Sequence, residues 1–158
     1  SDHLMVMNAG SGFWHAEETL ADDPPLRMLQ IFVRPHSLNL EPNIQHEPIP
    51  DSVAGEWRHL FGPEGTDAPL YARNNVDFYD CRLNAGTTTT LPSRPGWHTY
   101  LYAFEGAVKV GNKPVGFTES ALVTGGDDIA VTATEDSTIV AFSIQPDAPV
   151  TRQGTIGR

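Results

Sequence analysis

Short apolar alternations separated by glycine and proline run through the whole chain, and no apolar pattern of helical period extends over several turns. Runs of strand character cover Leu4–Met7, Arg27–Val33, Phe78–Leu83, His98–Phe104, Ala107–Val110, Ala121–Thr124, Ile129–Ala133 and Thr138–Ile144. Val108-Lys109-Val110, Gly111-Asn112 and Lys113-Pro114-Val115 form the sharpest local signal, because two turn residues that tolerate positive φ join two alternating arms. This predicts a hairpin. Regular strand spacing predicts an all-β sandwich or barrel. The proline-rich stretch from Pro35 to Pro69 reads as an extended connector between two β units, although Trp57, Leu60 and Phe61 call for burial. Ala21 to Pro25 reads as a solvated acidic loop. The polar tail from Gln145 to Arg158 is expected to fray.

Composition narrows the function classes. The chain has 158 residues, enough for one ordinary domain or one domain and part of another. Twenty acidic against ten basic residues give a formal charge of −10, which repels phosphate backbones and argues against nucleic acid as a direct ligand. No apolar run reaches the roughly 18 residues of a spanning helix, so no membrane role is expected. Cys81 stands alone and cannot close an intramolecular disulfide, and no basic-then-apolar leader is visible, so the expected setting is reducing and cytoplasmic. In its alternating run Cys81 reads as a small core residue, with no activating base in its neighbourhood. The chain opens on Ser1 with a strand almost at once, which suggests a processed or truncated product.

His15-Ala16-Glu17 carries the most chemistry. In a strand, side chains two positions apart leave from the same face, so an imidazole and a carboxylate would project together. Such a pair is half a donor set for a borderline divalent ion. Taken alone, so short a motif is far more often two solvated surface residues. The other histidines, His3, His36, His46, His59 and His98, have no spacing that joins them to the pair. Trp14, Trp57, Trp97 and the Tyr100/Tyr102 pair could wall a pocket for a planar aromatic ligand, or fill a core as such residues usually do.

The surroundings of the triplet are more specific. Met7-Asn8-Ala9-Gly10-Ser11-Gly12-Phe13-Trp14-His15-Ala16-Glu17, then Leu29-Gln30-Ile31-Phe32-Val33, then Glu41-Pro42 and Gln45, resembles the pirin family of the cupin superfamily. Tyr102-Ala103-Phe104-Glu105-Gly106 and the strand order after it are similar to the second barrel of that family. The resemblance implies a cupin-type double-stranded β-helix, a jelly-roll barrel, at residues 69–146, preceded by an incomplete N-terminal cupin portion at 1–50 and a connector at 51–68. Residues 147–158 would be a flexible tail. It implies a divalent transition metal in the N-terminal barrel, iron first, with His15 and Glu17 as two of four ligands and Glu17 also as a catalytic proton acceptor. The other two ligands of the family, a His-x-His pair on an earlier strand, have no counterpart here. In the second barrel the corresponding positions hold Ser93, Pro95 and Thr99, which predicts a barrel without a metal.

Two functions of different class follow from the resemblance. One is a quercetin 2,3-dioxygenase-type oxidoreductase acting on a flavonol-like small molecule. The other is a regulatory module that binds a protein without catalysis, its acidic surface suited to a basic partner. Unpaired strand edges left by an incomplete barrel would favour a homodimer.

Overall fold

The structure, a computed structural model, describes residues 3–16, 18–126 and 128–153. Among these residues every regular element is a strand: β1 (His3–Asn8), β2 (Asn43–Pro48), β3 (Arg58–Pro63), β4 (Leu70–Ala72), β5 (Val76–Leu83), β6 (Thr88–Thr90), β7 (His98–Glu105), β8 (Val108–Val110), β9 (Lys113–Val115), β10 (Ser120–Thr124), β11 (Ala130–Ala133) and β12 (Ser137–Ile144). A six-stranded sheet in the order β10-β7-β12-β5-β3-β4 faces a four-stranded sheet in the order β6-β11-β8-β9. Their facing sides enclose Leu83, Leu91, Leu101, Val108, Val131 and Ile139, all nearly sealed from solvent, and this is the barrel interior. The expected hairpin forms as drawn, with Val108 opposite Val115 and Gly111 at φ 57 in the turn.

Register explains how the interior is layered. On the inner face Ala141 of β12 lies between Tyr79 and Leu101, and Ile139 lies between Cys81 and Ala103. One step towards the other end, Ser143 lies between Asp77 and Thr99. Period-two alternation therefore stacks apolar rows deep in the barrel and one polar row at its mouth.

The opposite face of the six-stranded sheet is also apolar, through Leu60, Phe61, Phe78 and Val140, and it needs a cover. The first fifty residues supply it. β1 and β2 pair antiparallel as a separate two-stranded arm that packs Leu4 and Val6 on that face, and the chain between them adds Leu29, Ile31 and Val33. Gly10 makes this return possible. At φ 56 its Cα lies so close to Leu40 and Pro42 that a Cβ there would sit 2.2 Å from the Leu40 carbonyl oxygen.

Three sequence expectations are corrected by this arrangement. Arg27–Val33 alternates as a strand should, with residues 29, 31 and 33 half-buried and 30 and 32 exposed, yet it joins none of the three sheets. The stretch read as a connector contains β2 and β3, and β3 pairs with β5 inside the main sheet. The tail does not begin to fray at Gln145, since Asn74 Nδ2 donates to the Pro149 carbonyl at 3.2 Å and Thr151 N donates to Pro35 at 3.0 Å.

Candidate functional site

β1 ends at Asn8, and the Ala9–Gly12 turn, closed by a 2.8 Å bond from Gly12 N to Ala9 O, leads into an extended segment outside any strand. Strand alternation therefore does not fix the direction of His15. Its side chain is exposed, with the ring 5.3 Å from that of Phe13. Glu17 lies outside the described residues, so the pairing of the two is not seen. Among the described residues no three His, Cys, Asp or Glu side chains converge as a metal-binding group. The described residues alone thus do not make a donor set for the metal that the family resemblance implies.

The remaining sequence candidates separate. His3 of β1 stacks on His46 of β2 with centroids 4.8 Å apart, while His36 Nδ1 meets the Ser37 hydroxyl at 2.8 Å. Trp14 is fully exposed, and Trp57 Nε1 donates to the Thr90 carbonyl at 2.8 Å. Tyr100 and Tyr102 point outward from β7, onto the apolar face that the first fifty residues cover.

His59 joins a cluster that sequence reasoning missed. Asp77 of β5 is completely buried at the barrel mouth, and it brings together His59 of β3 and Arg94 of the loop after β6. Arg94 Nη2 donates to Asp77 Oδ1 at 3.2 Å and lies 3.0 Å from Oδ2. His59 Nε2 approaches Oδ1 at 2.8 Å, a close contact of unlike groups without the alignment of a hydrogen bond. The His59 ring stacks on Tyr79 at 4.6 Å, and the Arg94 guanidinium lies over Trp97 at 4.7 Å. Burial, reinforced by the Asp77 charge, raises the Tyr79 hydroxyl above its ordinary pKa. Gly62 is required here, because a Cβ would come within 2.8 Å of Asp77 Oδ1 and 2.6 Å of Thr66 Oγ1. The sequence signal was the alternation Asp77-Tyr79-Cys81-Leu83, which puts the carboxylate on the inward side once β5 is started at Val76.

The Arg94 guanidinium pairs with the buried Asp77 carboxylate at that end of the barrel, with the His59 imidazole against the same group. Thr99, where a cupin would place a glutamate ligand, instead donates its hydroxyl to the Pro92 carbonyl at 3.0 Å. Deeper in the barrel Cys81 is 2% exposed, and burial, with Asp80 beside it, pushes its thiol up to about 11. At pH 8 iodoacetamide should therefore alkylate Cys81 about 100-fold more slowly in the folded protein than in urea, as mass spectrometry of timed samples would show. The thiol ionises near 9.0 when free and near 11 when folded, so its contribution to stability is complete below pH 9 and lost as pH rises through 11.

Two facing sheets with a single interior and a site-forming mouth define a cupin barrel, and residues 59–144 match the family model described as the quercetinase C-terminal cupin domain. The chain belongs to the pirin family. It is 30% identical over 139 residues to a pirin-like protein of Caulobacter vibrioides, covering 87% of this chain and 60% of that one. A Mycobacterium tuberculosis protein named "Putative quercetin 2,3-dioxygenase" is 26% identical over 141 residues, 87% of this chain and 57% of its own. The chain thus spans about three fifths of the length of these relatives. The crystal structure of a bacterial pirin from Escherichia coli in complex with nickel(II) superposes with a TM-score of 0.63 at 13% identity, covering 71% of this chain and 48% of that one, a likeness of fold.

Proposed function

We propose that the chain is part of a metal-dependent oxidoreductase of the quercetin 2,3-dioxygenase type, acting on a flavonol-like substrate. His15 and Glu17 are two of its metal donors, and the others come from polypeptide outside the described residues. The observation that carries this reading is the seating of the turn that opens the block: Gly10 is pressed against Leu40 and Pro42, which fixes where the segment bearing His15 begins. The name of the mycobacterial relative supports the reaction class.

Oxygen uptake with quercetin tests it. The full-length protein that carries this chain, loaded anaerobically with Fe(II), should consume oxygen in step with loss of the flavonol absorbance, and His15→Ala should abolish both. Uptake that is absent, or indifferent to that substitution, overturns the reading.

A second reading, a protein-binding regulatory module, is favoured by one surface. Trp14, Leu20, Leu26 and Phe32 are 101%, 76%, 63% and 63% exposed, on the same stretch of chain as the exposed Asp22 and Asp23. Apolar side chains beside carboxylates suit a partner with an apolar, basic face.

A further inference from the structure

The two barrel sheets end in the strands β10, β4, β6 and β9, and an edge strand invites pairing with another chain unless something blocks it. On β4 the Gln45 side chain accepts from Tyr71 N at 2.8 Å and donates to Tyr71 O at 2.9 Å, so it stands in for a neighbouring strand. On β6 Trp57 Nε1 holds the Thr90 carbonyl at 2.8 Å, and β9 carries Lys113 and Pro114, a charge and a residue without an N–H. β10 has no such device. Ser120-Ala121-Leu122-Val123-Thr124 contains neither charge nor proline, and among the described residues no side chain or loop bonds to its outer edge.

We propose that the free edge of β10 pairs with β10 of a second copy of this chain, antiparallel about a two-fold axis at Leu122. Ala103 N donates to Glu119 O at 3.0 Å, and Ala121 and Val123 stand opposite Leu101 and Thr99, so the bonds to β7 come from the odd-numbered residues. Ser120, Leu122 and Thr124 therefore turn their main-chain groups outward. The strand is nearly a palindrome. Reversed on itself about Leu122, it sets the Ser120 hydroxyl against that of Thr124, the small aliphatic Ala121 against Val123, and Leu122 against its own copy. A contact between identical strands requires such self-matching, whereas an unrelated partner has no need of it.

The side chains agree with the backbone. Ala121 and Val123 pack against the barrel interior, whereas Leu122 is 61% exposed and lies opposite Tyr100 on the outer face. From Tyr100 the apolar row continues across the sheet to Phe142 at 6.2 Å and Phe78 at 4.8 Å. It stops at Leu122 on the edge, and a second copy carries it on through the paired leucines. A formal charge of −10 resists self-association in general, yet in this register Glu119 falls opposite Gly125, and its carboxylate is turned back to accept from Gly116 N at 2.7 Å. One strand pair buries far less area than a permanent dimer, so the pairing is weak and the dilute protein is a monomer. The edge uses neither His15 nor Glu17, so the proposal stands apart from the dioxygenase reading.

Sedimentation equilibrium of the full-length protein that carries this chain tests the proposal. The weight-average mass should climb from the monomer value toward twice that value between about 10 and 500 μM, as for a dissociation constant on the order of 100 μM. Leu122→Lys, which sets like charges opposite each other, should weaken the association at least about tenfold, while Leu122→Ile should retain it. Hydrogen exchange of the parent protein decides the matter without any variant: at high concentration the Leu122 and Thr124 amides should exchange more slowly than in dilute solution, and those of Ala121 and Val123, already bonded to β7, should not change. A monomer at every concentration, association indifferent to Leu122→Lys, or protection gained at another surface instead overturns the proposal.

Discussion

Asp77→Ala should lower the unfolding free energy by about 3 kcal/mol, the low end for removing one member of a buried ion pair. The carboxylate is sealed from solvent, while its partners are not: the His59 and Arg94 side chains are 26% and 40% exposed. After the substitution Arg94 can swing into water, but His59 is held by its stack on Tyr79 and loses its acidic neighbour. The Ser143 hydroxyl beside Asp77 has no hydrogen-bond partner among the described residues, so the row already carries one unsatisfied polar group. Urea unfolding followed by circular dichroism measures the loss. A change below about 1 kcal/mol would mean that the cluster behaves like a surface ion pair.

Leu101→Ala should cost more, about 4 kcal/mol, in the upper part of the range for leucine truncation in a core. Leu101 has no exposed surface, and its lateral neighbours on β10 and β12 are Ala121 and Ala141. Side chains that small cannot lean into the space left behind, and the sheet backbone on either side is fixed by its ladder. Leu122→Ala on the same sheet is a matched control: Leu122 is 61% exposed and should cost little. Parallel urea titrations should separate the two variants by about 3 kcal/mol, and similar midpoints would contradict the assigned interior.

The barrel was legible because alternation reports which face of a strand is buried, and β5, β7, β8, β11 and β12 each bury one or both faces. The same property misread Arg27–Val33. Leu29, Ile31 and Val33 alternate because they lie on an apolar sheet face, and burial of alternate side chains does not require a hydrogen-bonded neighbour strand. β3 was hidden for the opposite reason: Gly62 and Pro63 mark turns in most sequences, but here they end a strand whose glycine makes room for Asp77 and Thr66. Asp77 itself was lost by starting β5 two residues late, at Phe78. The pirin-type block was recognisable from spacing, whereas the use of His15 was not, because coordination depends on donors that no local pattern supplies.

The central claim is that the Met7–Glu17 block presents metal donors. Calorimetric titration of nickel(II) into the apoprotein and into His15→Ala and Glu17→Ala tests it most directly. The full-length protein that carries this chain and supplies the remaining donors should take up the ion at one site, and each substitution should weaken it by on the order of 100-fold or more, since even loss of an outer-shell partner costs 10–100-fold. Unchanged affinity in both variants, or no uptake by the full-length protein, would contradict the account.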